Sequence, residues 1–314
     1  MIFPIMEQLK VTSVPDANDL LLFVRVAELG SFTRAAEQSG LPKSTLSRRI
    51  GQLERQMGEP LLVRTTRRQR LTELGQQVLE LARELAADLA AVQALREQRQ
   101  AEPSGRLRVS LPSDIANLLL ADSLAAFTAL HPAVTLELDL SPRRVDLLGE
   151  GFDLALRMGD LPDDALLVAT RLTVFSHGLY ASPDYLANHG EPAAPEDLLR
   201  HTAVRLGSGP GAGQPWVLSD GQRAWQGRPP ARIVANSPEI LVRLAGAGMG
   251  LAGVPDLIAC SEVKAGRLRR VLPGWAFPPT MAWAVTPGRR LLPAKTRAFI
   301  EMLQRSLQQA QRDG

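Results

Sequence analysis

With a single cysteine, Cys260, among 314 residues, the chain can form no intrachain disulfide. It has no need of an oxidising compartment, which favours the cytoplasm. The four histidines, His131, His177, His189 and His201, show no metal-ligand spacing. No serine or cysteine sits in a recognisable nucleophile motif, so neither a cofactor, a metal nor an enzymatic activity is expected. Met1 to Asp16 lacks a basic start, an apolar core and a small-residue cleavage site, so residues 1–16 read as a frayed terminus rather than a signal peptide. A run of about 18 apolar residues is also missing, which argues against a membrane span. What remains is an ordinary soluble composition, 45% hydrophobic and 22% charged. The length suggests two or three domains.

Net charge is only +3, but its distribution is uneven. Between Leu41 and Arg70 eight basic side chains face two acidic ones, Glu54 and Glu59. A solvated basic face would account for such a surplus; so would a surface for phosphates. The local pattern separates the two. Leu20, Phe23, Val24 and Ala27 share a helical face, and Gly30 ends that helix. Ser31 suits the N-cap of a second helix, Phe32 to Ser39, with small Ala35 and Ala36 where helices cross. Gly40 makes a tight turn, and Pro42 is expected at the first position of a third helix. There Leu46, Ile50, Leu53 and Met57 form the buried stripe, leaving Lys43, Ser44, Ser47 and Arg48 on the wet side. Leu61 to Val63 reads as a strand, followed by a polar basic wing from Arg64 to Arg70.

These residues resemble a known family. Phe23, Glu28, Gly30-Ser31-Phe32-Thr33, Ala35-Ala36, Leu41, Ser47, Ile50, Leu53-Glu54, Gly58, Arg64, Arg68, Leu71-Thr72 and Gly75 are similar in type and spacing to the LysR-type transcriptional regulator signature. Two positions depart from it: Pro42 stands where serine is usual, and Leu62 where the wing carries an aromatic. Read on its own chemistry, a helix of this kind fits the major groove of double-stranded DNA. Lys43 can donate to guanine, while Ser44 and Ser47 discriminate less. Ser31, Thr33, Arg34, Arg48 and Arg49 suit phosphate, and Arg64, Thr65, Thr66, Arg67 and Arg68 would reach the neighbouring backbone or minor groove.

From Thr72 to about Gln100 a long helix places Leu74, Val78, Leu81, Leu85, Leu89, Val92 and Leu95 at three- and four-residue steps. Such a seam wants a partner, either its own domain or, as the resemblance implies, the same helix of a second subunit. A homodimer or homotetramer is expected, and RNA polymerase is a candidate further partner.

After Pro103-Ser104-Gly105 strands and helices alternate: strands Arg106 to Leu111, Val134 to Leu140 and Asp153 to Arg157, helices Ile115 to Leu130 and Val145 to Glu150. The fold class is therefore α/β, with an α-rich winged helix-turn-helix at residues 17–71, a linker helix at 72–102 and an effector-binding domain at 103–314. The resemblance implies two subdomains like those of periplasmic binding proteins, I at 105–180 and 280–308, II at 181–279, with a cleft between them. Open parallel sheets bind ligands at strand C-terminal ends. Carried over, the cleft is expected at Leu111 to Asp114, Leu140 to Arg143, Arg157 to Gly159, Leu206 to Ser208 and Asn236-Ser237, with Ser113, Asp114, Ser141, Arg157, Gly207, Asn236 and Ser237 touching the effector. Helices starting after Ser113 and Ser237, with Arg143 and Arg157 nearby, point to a small organic anion. Gly248-Met249-Gly250-Leu251-Ala252-Gly253 fits a dinucleotide fingerprint, yet a helix precedes it and a strand follows, the reverse of what that motif needs. The expected function is a ligand-responsive, sequence-specific DNA-binding regulator. An enzyme with a fused helix-turn-helix and a solute-binding protein are the alternatives.

Overall fold

The structure, a computed structural model, describes residues 14–64, 69–99, 102–141, 143–161, 164, 166–207, 214–288 and 292–313. Thr65, Thr66, Arg67 and Arg68 of the wing and most of the expected frayed terminus lie outside the described residues. The chain divides into two compact units, one built on residues up to 101 with 146–152 and 287–294, the other on the remainder.

The first unit opens with α1 (Ala17–Leu29), α2 (Phe32–Ser39) and α3 (Lys43–Met57). The Asp16 carboxylate accepts the Asn18 N–H at 2.8 Å to start α1, and Ser31 Oγ accepts the Arg34 N–H at 3.3 Å to start α2. Gly30 and Gly40 end these helices in the left-handed region at φ 59° and 64°, where a side chain would be strained. Pro42 is the N-cap of α3 rather than its first helical residue: its carbonyl already accepts the Leu46 N–H, and the helix begins at Lys43. Phe23, Val26, Ala35, Leu46, Ile50, Leu53 and Leu61 are fully buried in one core. The α1 stripe is wider than the sequence suggests, since Leu22 and Val26 join it while Leu20 and Ala27 stay partly exposed.

β1 (Leu62–Arg64) and β2 (Gln69–Leu71) pair antiparallel as the wing. Glu54 Oε1 on α3 accepts the N–H groups of Leu61 and Leu62 at 3.0 and 3.1 Å, which fixes the wing to the third helix. α4 (Glu73–Arg99) follows, 27 residues long. Its first turn lies so close to the wing that a Cβ at Gly75 would stand 2.1 Å from the Leu61 carbonyl oxygen.

In the second unit a sheet of nine strands runs in the order β10-β7-β11-β6-β13-β5-β3-β4, with β12 also paired to β6. One half holds β3 (Gly105–Ser110), β4 (Val134–Asp139) and β5 (Leu154–Met158), with β3 parallel to both neighbours. The other holds β7 (Ala203–Leu206), β10 (Ala231–Ala235) and β11 (Leu251–Pro255), with β7 parallel to both neighbours. Each half thus has a point where strand order reverses, and that is where doubly wound sheets bind ligands. β6 (Leu167–Ala181) and β13 (Phe277–Pro287) are long enough to serve both halves. β6 pairs with β11 from His177 onward, and β13 pairs with β5 over Ala282–Val285. β12 (Arg269–Val271) and a hairpin of β8 (Trp216–Ser219) and β9 (Ala224–Gly227) complete the strands.

α5 (Ser113–Ile115), a π turn at Ala116–Leu120 and α6 (Ala121–Leu130) form one run of helix after β3. This run, Ser113–Leu130, does reach the length and mean hydropathy of a membrane span, 1.2 over 18 residues, contrary to the sequence expectation. Asp114 and Asp122 interrupt it, and Phe127 packs edge-on against Phe299 with ring centroids 5.1 Å apart. It is a covering helix of the sheet. The expected helix at Val145 to Glu150 is a series of turns, broken by Gly151 at φ 71°. α7 (Pro183–His189), α8 (Pro238–Gly246), α9 (Asp256–Lys264) and α10 (Ala294–Asp313) are the other α-helices among the described residues, with a 3-10 turn at Pro195–Arg200. Since α8 precedes β11, the glycine-rich Gly248 to Gly253 segment enters a strand, as its sequence order requires.

Two glycines give opposite predictions for stability. Gly75→Ala must push the wing strand away and should cost about 1–3 kcal/mol. Gly51→Ala, in the interior of α3 with only the Arg55 side chain 3.8 Å away, should stabilise by about 0.5–1 kcal/mol. Urea titration of the two variants followed by circular dichroism measures both.

Candidate functional site

Two places bring together polar side chains that the packing leaves available. The first is the outer face of α2 and α3. The buried stripe Leu46, Ile50, Leu53 turns the rest of α3 outward, so Lys43, Ser44 and Arg48 are exposed and Ser47 is half-exposed beside them. Thr33 and Arg34 are exposed on the first turn of α2, while the Ser31 hydroxyl serves that helix as its cap. Arg49 belongs elsewhere. Its guanidinium pairs with the buried Asp19 carboxylate and lies 3.8 Å from Asp16, so it ties α3 to α1. Asp19 would otherwise be a buried unpaired charge, and that cost keeps Arg49 away from a ligand. Arg64 ends β1; Thr66, Arg67 and Arg68 lie outside the described residues.

The α4 seam is split. Val78, 7% exposed, joins Leu79 and Ala82 in the core of its own unit, with Leu74 packed against them. Arg83 Nε donates to Glu28 Oε1 of α1 at 3.0 Å, which ties α4 to α1. Burial pushes the Glu28 carboxyl up from its ordinary value, and Arg83 opposes the shift. Beyond that turn Leu81 and Val92 are 68% and 63% exposed, and Leu89 is exposed with them. Leu85 is half-exposed, and the Leu95 side chain lies outside the described residues.

The second place is a cavity of about 320 Å³ at the two reversal points of the large sheet. Pro112, Asp114 and Ile115 follow β3; Met158 ends β5; Leu206 ends β7 and Gly207 follows it; Asn236 and Pro238 follow β10; Pro255 ends β11. Phe175 and His177 of β6, Thr280 of β13 and Ile258 of α9 complete the wall. Of the cleft positions expected there, Pro112, Asp114, Met158, Leu206, Gly207 and Asn236 line it; of the seven named effector contacts, Asp114, Gly207 and Asn236 do. Ser113 and Ser237 stand beside lining residues, at the first position of α5 and the N-cap of α8. Ser141 does not line it. β4 is the edge strand, one strand removed from the reversal point, and the Ser141 N–H closes a turn onto Asp139 Oδ1 at 2.8 Å. Arg157 does not line it either. Strand side chains alternate, so Met158 facing the cavity turns Arg157 away, and its Nη2 donates to the Val145 carbonyl at 3.0 Å. Arg143 is turned back to Asp139, 3.4 Å away. The positive charge expected from these two arginines is therefore not in the cavity wall.

The sequence reading missed Phe175, His177, Ile258 and Thr280, and also Ile115, Pro238 and Pro255. The first two sit on β6, where the enrichment in Val, Thr, Leu and Phe from Leu167 onward was a usable strand signal. Thr280 and Ile258 reach the cavity only through tertiary packing.

Comparison with known proteins gives a consistent result. Residues 17–76 match the family described as "Bacterial regulatory helix-turn-helix protein, lysR family", and residues 100–308 match "LysR substrate binding domain". The chain is 38% identical over 291 residues to an HTH-type transcriptional regulator of Xanthomonas campestris pv. campestris, covering 92% of this chain and 84% of that one. It is 36% identical to the HTH-type transcriptional regulator PtxR of Pseudomonas aeruginosa, with 92% of each covered. Among solved structures it is similar to CrgA of Neisseria meningitidis, a LysR-type transcriptional regulator, at 30% identity and TM-score 0.56, covering 95% and 99%. It is also similar to the Vibrio cholerae virulence activator AphB, at 28% identity and TM-score 0.57, covering 92% and 98%.

The split of α4 predicts two different failures. Val78→Lys should unfold the first unit, costing about 3–5 kcal/mol for a buried unpaired charge. Leu81→Lys with Val92→Lys should leave the unfolding transition within about 0.5 kcal/mol per site, as surface substitutions do. The same pair should reduce the mass seen by analytical ultracentrifugation; an unchanged mass places the subunit interface off this helix.

Proposed function

The chain belongs to the LysR family of DNA-binding transcriptional regulators, and from that premise we propose which surfaces do the work. Members of the family bind DNA and small-molecule effectors and form oligomers, and the relatives of this chain are regulators rather than enzymes. We place the DNA contact on α3 and the start of α2. The single observation that carries this is the exposed row Lys43, Ser44 and Arg48, with Ser47 half-exposed, on a helix whose opposite side is fully buried. Lys43 and Ser44 stand in the first turn, the end that reaches base edges when a recognition helix enters the major groove. Arg34 and Arg48 flank it for phosphate, as does the α2 start, whose N-terminal N–H groups favour an anion. Arg64, Thr66, Arg67 and Arg68 of the wing are assigned to the DNA backbone or minor groove from their residue types and place in the sequence alone.

The exposed part of the α4 seam, Leu81, Leu85, Leu89 and Val92, is the surface we propose for pairing two subunits. A dimer reads two half-sites about one helical turn apart. The cavity at the strand ends is the proposed effector site, with Asp114, Gly207 and Asn236 touching the ligand and Ser113 and Ser237 beside them at the two helix starts. Such a regulator works where the chromosome is, in the cytoplasm, and RNA polymerase is the partner it must finally influence.

Lys43→Ala should cost about 1–3 kcal/mol on the best operator and relax the preference for one base. Arg67→Ala or Arg68→Ala should weaken all sequences alike and lower the slope of log K against log salt by about one unit each. Fluorescence anisotropy on a specific and a scrambled duplex over a salt series distinguishes the two. An unaltered sequence preference in Lys43→Ala would remove α3 from the groove.

A further inference from the structure

We propose that the effector of the cavity presents a hydrogen-bond donor, an N–H or O–H group, to Asp114, and that a carboxylate is disfavoured there. The proposal rests on reading this cavity as the effector site. It reverses the organic anion expected from the two helix starts and their neighbouring arginines.

The first argument is charge. Neither Arg143 nor Arg157 lines the cavity, and its described wall contains no lysine or arginine. Each helix that starts there brings a carboxylate in its own first turn, Asp114 for α5 and Glu239 for α8. A carboxylate in the first turn satisfies the partial positive charge of a helix start and leaves little of it for a ligand. Glu239 is drawn to Arg243, 2.6 Å away on the exposed side of α8. Asp114 is 8% exposed and has no ion pair among the described residues.

The second argument is hydrogen-bond capacity. An ionised Asp114 accepts only. His177 Nδ1 lies 3.1 Å from the Phe175 carbonyl, which cannot donate, so Nδ1 carries the proton and Nε2 of the neutral ring is an acceptor. Burial holds His177 below its ordinary pKa and so keeps the ring neutral, although the Phe175 carbonyl and Asp256 pull the other way. Thr280 and Asn236 can serve as donor or acceptor. The polar wall is rich in acceptors, and an acceptor-only ligand would offer no donor to His177 Nε2 or to the remaining lone pairs of Asp114.

Burial also raises the Asp114 carboxyl, the backbone N–H groups of Ile115 and of Asp114 itself oppose this, and Glu239 adds to the rise. Desolvation thus outweighs those two N–H groups at the carboxylate, and a cationic donor beside it would restore what desolvation removes. The rest of the wall, with Ile115, Met158, Phe175 and Leu206, is apolar and suits a single-ring body in about 320 Å³.

Three ring-matched probes test this with the full-length protein by isothermal titration calorimetry: benzylamine as a cationic donor, benzyl alcohol as a neutral donor and benzoate as the anion. Benzylamine or benzyl alcohol should bind at least about tenfold more tightly than benzoate, the size of one charge-assisted hydrogen bond. Asp114→Asn should bring the three within about threefold of one another. Leu206→Trp, at a half-exposed wall position that tolerates bulk, should fill the cavity and abolish binding of all three. Benzoate binding as tight as the amine, and lost in Leu206→Trp, overturns the donor proposal while leaving the cavity as the ligand site. An unchanged ranking in Asp114→Asn, or no saturable binding by any probe, also overturns it. Probe binding that survives Leu206→Trp overturns the cavity reading itself, and the donor proposal with it.

Discussion

The double use of β6 and β13 is the constraint from which the regulatory unit follows. Each strand is long enough to take part in both halves of the large sheet, so the chain passes between the halves within a continuous hydrogen-bonded ladder rather than through loose linkers. Because both halves are parallel around a central strand, β3 in one and β7 in the other, each has its reversal point at strand C-terminal ends. The two crossing strands bring those ends to a common wall and add their own residues, Phe175, His177 and Thr280, to it. The cavity is therefore made of chain segments far apart in sequence, while each segment does only what a strand end ordinarily does.

In the first unit the controlling contacts are short and polar. Asp19 is buried and must be paired, so Arg49 is held against it and α3 is fixed on α1. Glu54 spends one carboxylate oxygen on the N–H groups of Leu61 and Leu62, so the wing starts at a set place relative to α3. Gly75 lets the first turn of α4 approach the Leu61 carbonyl closely. These three contacts fix α3 against α1, the start of the wing against α3, and the first turn of α4 against the wing start. The exposed basic side chains are then free to meet phosphate because other charges carry the architecture.

Much of this was legible along the chain. The helix boundaries of the first unit follow from Ser31, Gly30, Gly40 and Gly58, because caps and left-handed turns are decided by a residue and its next few neighbours. The α3 stripe follows from helical periodicity and the end of β3 from alternation with helices, while the ends of β7 and β10 came with the family resemblance. The composition of β6 carried a strand signal, but which of its side chains face the cavity was not legible: it serves two environments, so its burial pattern changes along its length and no single period runs through it. Val145 to Glu150 carried a helical-looking pattern, but Gly149 and Gly151 favour the turns observed.

The sequence by itself determined the kind of protein this is, the extent of its recognition motif and which residue types stand at the strand ends. Tertiary structure decided which charges are available. Arg49 and Arg48 are adjacent in sequence, yet one closes on an aspartate 30 positions away and the other remains exposed. Arg157 and Met158 are adjacent as well, and the pleat of β5 turns only Met158 into the cavity. Val78 and Leu81 share one periodic seam, but the core beneath α4 extends under the first and not the second. Hydrophobic periodicity is a property of the local chain; the partner that neutralises a charge or covers an apolar side chain comes from a distant segment, and only folding brings it there.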